Sequence, residues 1–93
     1  MVTAIVLINC SKGMVSQAAQ ALADVDGIAE VYSVAGRVDL VAMIRVKNND
    51  DLANIVTGKL QFITGIERTE TLIAFQVFSK HDLESMFSIG IES

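Results

Sequence analysis

One pattern occurs twice in this chain: an amphipathic, helix-sized stretch, a Gly-Ile step, and a strand-sized run. Gly27-Ile28-Ala29-Glu30-Val31-Tyr32-Ser33-Val34 is echoed by Gly65-Ile66-Glu67-Arg68-Thr69-Glu70-Thr71-Leu72. Each copy reads as helix, glycine stop and strand, with an apolar strand ahead of the helix. Two such β-α-β halves in 93 residues leave room for one α+β sheet and no second domain. Residues 1–93 are therefore expected to form a single domain.

Val2 to Ile8 is a short β-favouring apolar run, the pattern of a strand buried on both faces. A first helix is predicted from Met14 to about Asp24, because Val15, Ala18, Ala19 and Leu22 share one face. Ser11 is the expected N-cap and Gly27 the C-cap. Strands follow at about Ile28–Ala35 and Leu40–Lys47, joined through Gly36-Arg37-Val38-Asp39. A second helix starts in Asn48-Asn49-Asp50-Asp51, with Asn49 as cap and both aspartates at the positive end of the helix dipole. Leu52, Ile55, Val56, Leu60 and Ile63 carry its apolar face as far as Gly65, with Gly58 inside it at a cost of about 1 kcal/mol. The fourth strand is expected over Ile66 to about Phe78, and a short tail helix over Asp82 to Phe87. Right-handed crossovers then give a four-stranded antiparallel sheet with both helices on one face.

That arrangement leaves the other sheet face bare. The third strand puts Leu40, Ala42, Ile44 and Val46 on one side and Val41 and Met43 on the other, so both sides are apolar. With 52% hydrophobic and only 19% charged residues, the surplus calls for a subunit interface, and a second copy of the sheet is the simplest cover. No apolar run reaches the ~20 residues of a membrane span, since Asn9, Lys12, Asp39 and Arg45 interrupt. The first ten residues read as a strand rather than a signal peptide, and a single cysteine, Cys10, suits the reducing cytoplasm. A net charge of -4 with scattered basic residues speaks against direct nucleic-acid binding.

Catalysis has little to stand on, and no catalytic residue, metal site or cofactor is expected. The only histidine, His81, precedes the tail as a cap or surface residue, and Cys10 reads as a small hydrophobe after a strand. No Cys/His spacing suits zinc, and no P-loop or nucleophile elbow occurs. Asp50 and Asp51 diverge by about 100° on a helix, and Glu67 and Glu70 face opposite sides of a strand, so neither pair makes a dyad. What remains is Gly36-Arg37-Val38-Asp39 with Thr69 and Thr71. Two readings stay open. The first is a plain connection, with Asp39 bonding backbone and ordinary strand threonines. The second is a polar pocket, in which turn N–H groups hold a carboxylate, Asp39 pairs an ammonium, and hydroxyls orient the ligand.

These residues carry a resemblance. Ala35-Gly36-Arg37-Val38-Asp39-Leu40-Val41, then Gly65-Ile66 and Thr69-Glu70-Thr71-Leu72-Ile73, and at the end His81-Asp82-Leu83-Glu84-Ser85-Met86-Phe87, resemble the effector-binding (RAM) domain of the Lrp/AsnC family. The resemblance implies a ferredoxin-like α+β sandwich of the dimeric α/β-barrel type and a homodimer built through its sheets. It further implies a higher oligomer, commonly an octamer, with a small amino acid bound between dimers. By the same resemblance Gly36, Arg37, Val38, Asp39, Thr69, Thr71 and Leu72 are the expected effector site. Val38 stands where family members often have an aromatic residue, which bears on effector size. Full-length members also carry a helix-turn-helix domain that these residues do not, so the chain resembles the stand-alone members. Its expected role is to influence transcription through assembly, with full-length Lrp/AsnC regulators as candidate partners. The alternative is an ACT-like module acting on a metabolic enzyme, whose ligand would contact the first strand-to-helix loop, here Cys10 to Gly13. A dimeric monooxygenase or isomerase of similar fold is poorly matched by a chain with no Trp, one Tyr and one His.

Overall fold

In the computed structural model, which describes residues 1–78 and Lys80, the first apolar run is strand β1, Val2–Cys10. It is central, pairing antiparallel with β3 (Leu40–Val46) on one side and β4 (Ile66–Ile73) on the other. β2 (Ile28–Ser33) pairs with the outer side of β3, giving the order β2-β3-β1-β4. Helices α1 (Val15–Ala23) and α2 (Asn49–Gly58) supply Ala18, Leu22, Leu52 and Ile55 to one buried cluster with Ala4, Val6, Ile8, Leu40, Ala42 and Ile44. Both helices thus lie on one face of an antiparallel sheet: a ferredoxin-like α+β sandwich. The expected tail helix, Asp82 to Phe87, and His81 lie outside the described residues.

β1 alternates rather than being buried on both sides. Ala4, Val6 and Ile8 are fully buried beneath the helices, while Thr3, Ile5, Leu7 and Asn9 are half-buried on the open face. Register carries that division across the sheet, because directly paired residues share a face. Ile5 lies opposite Met43 and Leu72, Leu7 opposite Val41, and Val41 opposite Tyr32, forming an apolar stripe across all four strands.

Local chemistry shifts several element ends. Ser11 is no cap: its N–H donates to Gly65 O (2.8 Å) and its C=O accepts from Met14 N–H (3.0 Å), forming a turn ahead of α1. Met14 occupies the N-cap without a side-chain bond. Asn48, not Asn49, caps α2, its Oδ1 accepting Asp51 N–H at 2.8 Å. The helix stops at Gly58, and a 3₁₀ turn, Leu60–Phe62, swings Leu60 into the core and leaves Phe62 outside. β4 ends at Ile73 rather than near Phe78, although β1 runs on past the Ala4–Ile73 pair to Thr3 and Val2. Ile73 pairs with Ala4, Ala74 N–H reaches Thr3 O at 2.9 Å, and β1 begins at Val2. Phe75 beyond that point is fully exposed.

The two Gly-Ile steps are structural equivalents. Gly27 and Gly65 have φ of 96° and 99°, and a Cβ on either would meet a neighbouring side chain, Ile55 Cδ1 at 2.5 Å and Met14 Cβ at 2.8 Å respectively. Positive φ and close approach both require glycine there.

Candidate functional site

The connection between β2 and β3 folds back against the C-terminal end of β1. Val34 N–H donates to Asp39 O (3.1 Å), closing the loop, and Asp39 N–H donates to Ile8 O (2.9 Å). The Asp39 carboxylate then accepts the Cys10 N–H through Oδ2 at 2.8 Å. That bond stands where the β1–β3 ladder has run out and the half-buried Cys10 amide needs an acceptor. Asp39 is therefore the clasp that fixes the loop on the sheet. Gly36, with φ 149° and no atom near its missing Cβ, lets the exposed loop tip turn.

So held, the loop overhangs the first half of β4 and encloses a cleft of about 250 Å³. Arg37 and Val38 of the loop, Leu7 and Asn9 of β1, and Arg68, Thr69 and Glu70 of β4 line it. Of the seven expected site residues, the structure gathers Arg37, Val38 and Thr69 here. Gly36 and Asp39 shape the loop from outside the lining. Thr71 and Leu72 lie farther along β4, Thr71 opposite Val6 on the helix side and Leu72 opposite Ile5 on the open side. The threonines share the helix-side face, whereas Arg68, Glu70 and Leu72 share the open face with the cleft mouth.

Arg68, Glu70, Asn9 and Leu7 are the lining residues that the sequence reading missed. The signal was present in strand alternation, since Arg68 and Glu70 point away from Thr69 and Thr71. Only the β1–β4 register, with Asn9 opposite Arg68 and Leu7 opposite Glu70, shows which face meets the loop. A bulge between Asn9 and Cys10 interrupts that ladder beside the cleft.

The electrostatics separate this cleft from the rest of the sheet face. On β2 and β3, Glu30 is already satisfied: Oε2 accepts the Tyr32 hydroxyl at 2.6 Å and Oε1 accepts Arg45 at 3.2 Å. The Tyr32 and Arg45 bonds hold the Glu30 carboxyl below its ordinary range, and the same Glu30 bond pushes the Tyr32 phenol up. Burial, then the Asp39 and Glu67 charges, raise the Cys10 thiol, which makes it a poor nucleophile at neutral pH. No group of three or more metal-ligating side chains occurs among the described residues. No helix among them is long and apolar enough to cross a membrane.

Residues 3–83 match the profile of the Lrp/AsnC ligand binding domain. The HTH-type transcriptional regulator FL11 of Pyrococcus furiosus is 36% identical over 76 residues, 82% of this chain and 50% of that protein. The chain thus spans half the length or less of the curated relatives it matches. Among solved structures, TTHA0845 from Thermus thermophilus superposes with a TM-score of 0.80 at 42% identity, covering 86% of this chain and all of that one. The feast or famine regulatory protein of M. tuberculosis, solved in complex with L-methionine, shares the fold, with a TM-score of 0.73 at 22% identity over 86% of this chain and 54% of that one. The P. furiosus relative is an HTH-type transcriptional regulator and the M. tuberculosis one a regulatory protein, not enzymes, and the ACT-like alternative gives way to the profile match. By profile, sequence and fold together, this chain belongs to the Lrp/AsnC ligand binding domain family.

Proposed function

We propose that this chain is an amino-acid-sensing module that influences transcription through its state of assembly. The observation that carries the reading is the cleft between the clasped loop and β4, which presents both signs of charge on Arg37, Arg68 and Glu70 beside the side-chain amide of Asn9. A zwitterion needs such a set. The complex of the M. tuberculosis relative with L-methionine supports an amino acid as the class of ligand. Arg37, Val38 and Thr69 contact the ligand, Gly36 and Asp39 position the loop, and Thr71 and Leu72 flank the site on β4.

The apolar stripe Tyr32, Val41, Leu7, Met43, Ile5 and Leu72 on the open face favours a homodimer made sheet to sheet. The cleft lies at the end of the stripe, where a second dimer would supply its remaining wall and hold the amino acid between dimers. Ligand bound at such a seam shifts assembly by its differential affinity for the two states. Dimers joining into an octamer, alone or mixed with full-length Lrp/AsnC regulators, would pass that shift to DNA in the cytoplasm.

The test is a thermal-shift screen of the protein against the twenty amino acids, with sedimentation of the same samples. A ligand at a hundred times its Kd adds about 2.7 kcal/mol to the folded state and should change the sedimentation coefficient. A flat screen together with a monomer at every concentration would refute the reading.

A further inference from the structure

β4 is an open edge of the sheet. Among the described residues β1 is the one strand that pairs with it, and its other side meets no strand. In an antiparallel ladder alternate residues turn their N–H and C=O towards the same neighbour. Ala74 N–H donates to Thr3 O at 2.9 Å, so by alternation Leu72, Glu70 and Arg68 also bond β1, opposite Ile5, Leu7 and Asn9. Thr69, Thr71 and Ile73 therefore turn their backbone groups outward, away from the sheet. Such an edge is a template for another strand, and Arg68, Thr69 and Glu70 are all exposed along it.

We infer that this edge pairs antiparallel with the same edge of a second copy, about a two-fold axis through Thr69. Outward-turned residues must meet outward-turned residues, so the axis passes through a residue that faces itself. Centred on Thr69, the pairing sets Arg68 of each copy opposite Glu70 of the other, twice over. Moving the axis by one residue sets Arg68 against Arg68 or Glu70 against Glu70, and like charges directly opposite repel. Moving it to Glu67 sets that carboxylate against itself, and moving it to Thr71 sets Glu70 against Leu72 and Arg68 against Ala74. Charge complementarity thus selects both the partner and the register. Arg68 and Glu70 also fall at non-hydrogen-bonded positions of this pairing, where facing side chains come closest. Among the described residues the one ion pair is Arg45 with Glu30, so neither charge is engaged there. The ladder irregularity lies beyond Arg68, between the Asn9–Arg68 and Cys10–Ile66 pairs. β2, the other edge, offers no such match: Ile28–Ser33 carries one charge, Glu30, which Tyr32 and Arg45 already engage. The contact is separate from the open face, so sheet-to-sheet dimers can be joined through it, and it rests on neither that dimer nor the amino-acid reading. Because Arg68 and Glu70 line the cleft, the pairing also sets the second copy's β4 at the border of the cleft.

Sedimentation of charge variants of the whole protein tests this, with circular dichroism to confirm that each is folded. Arg68→Glu sets two carboxylates opposite each other at both pairs, and Glu70→Arg sets two guanidinium groups there. Each single variant should therefore associate about ten-fold or more weakly than wild type. An equimolar mixture of the two should recover, because every pair between unlike variants is again opposite in sign. The double variant R68E/E70R should recover by itself. In a Cys10→Ser background, Thr69→Cys should cross-link two copies under mild oxidation, since the facing Cα atoms lie about 5.5 Å apart, inside the disulfide range. Thr71→Cys should not, because its two copies stand about 13 Å apart along the strands. Wild-type association in both single variants, or a mixture no larger than its components, would overturn the inference. So would the lack of a cross-link at Thr69, or equal cross-linking at Thr69 and Thr71.

Discussion

Asp39→Ala is the most informative single substitution, because the structure separates a structural from a ligand-contacting role for this carboxylate. Three hydrogen bonds meet at Asp39: Oδ2 from Cys10 N–H at 2.8 Å, its own N–H to Ile8 O at 2.9 Å, and its C=O from Val34 N–H at 3.1 Å. Alanine removes only the first. Cys10 is half-buried, and an amide left unpaired costs about 1–3 kcal/mol, so about 1.5 kcal/mol suits a site with some access to water. Asparagine keeps an acceptor oxygen and loses only the charge assistance, a cost of about 0.5–1 kcal/mol. For a domain of this size each kcal/mol is about 4–8 °C in Tm, so alanine should lower the midpoint by roughly 6–12 °C. Urea unfolding followed by circular dichroism should rank wild type above Asp39→Asn above Asp39→Ala at constant slope. Hydrogen exchange of the Cys10 amide should accelerate in the same order. Ligand titration gives the second axis: a clasp predicts that asparagine largely restores binding, whereas a direct ammonium partner predicts that asparagine is as damaging as alanine. If Asp39→Ala unfolds within about 0.5 kcal/mol of wild type, the carboxylate is not the acceptor that holds the loop.

Gly27→Ala should destabilise by about 2–4 kcal/mol in the same unfolding assay, combining positive φ with a Cβ placed 2.5 Å from Ile55 Cδ1. Gly58→Ala, which meets open space at the end of α2, should instead be neutral or stabilising by up to about 1 kcal/mol. Met43→Asp places a charge in the open-face stripe and should leave circular dichroism unchanged while sedimentation shifts to monomer; an unchanged dimer would move the interface elsewhere. Glu30 is held low by Tyr32 and then Arg45, so its small contribution is present above the unfolded pKa and fades as pH falls through the lower folded value. Tyr32→Phe should move the Glu30 titration back up towards its ordinary range by NMR. The Cys10 thiol, raised by burial, Asp39 and Glu67, should react slowly with iodoacetamide at neutral pH and faster in Asp39→Asn.

Much of the fold could be read without coordinates because its signals are local. The Gly-Ile steps after each helical pattern placed β2 and β4, and the apolar spacing of Ala18 and Leu22, and of Leu52 and Ile55, chose the buried helix faces. Errors gathered at ends, where competing partners decide. Ser11 was taken from capping by Gly65 O, and Asn48 was preferred to Asn49 because its side chain reaches Asp51 N–H. The apolar run through Phe78 is strand-like by pattern, yet pairing with β1 ends at Ile73 and Ala74, and Phe75, Val77 and Phe78 beyond it are exposed.

The candidate site divides along the same line. Sequence alone determined that a glycine-containing loop and a polar β4 would be the distinctive chemistry of this chain, since residue type and alternation are properties of neighbours along the backbone. Tertiary structure alone decided what Asp39 holds, with a partner 29 residues away. It also decided that Arg68 and Glu70, rather than Thr71 and Leu72, join Arg37 in the cleft. The reason is register: a slip of one residue between β1 and β4 exchanges the two faces of the strand, and no local pattern specifies that pairing.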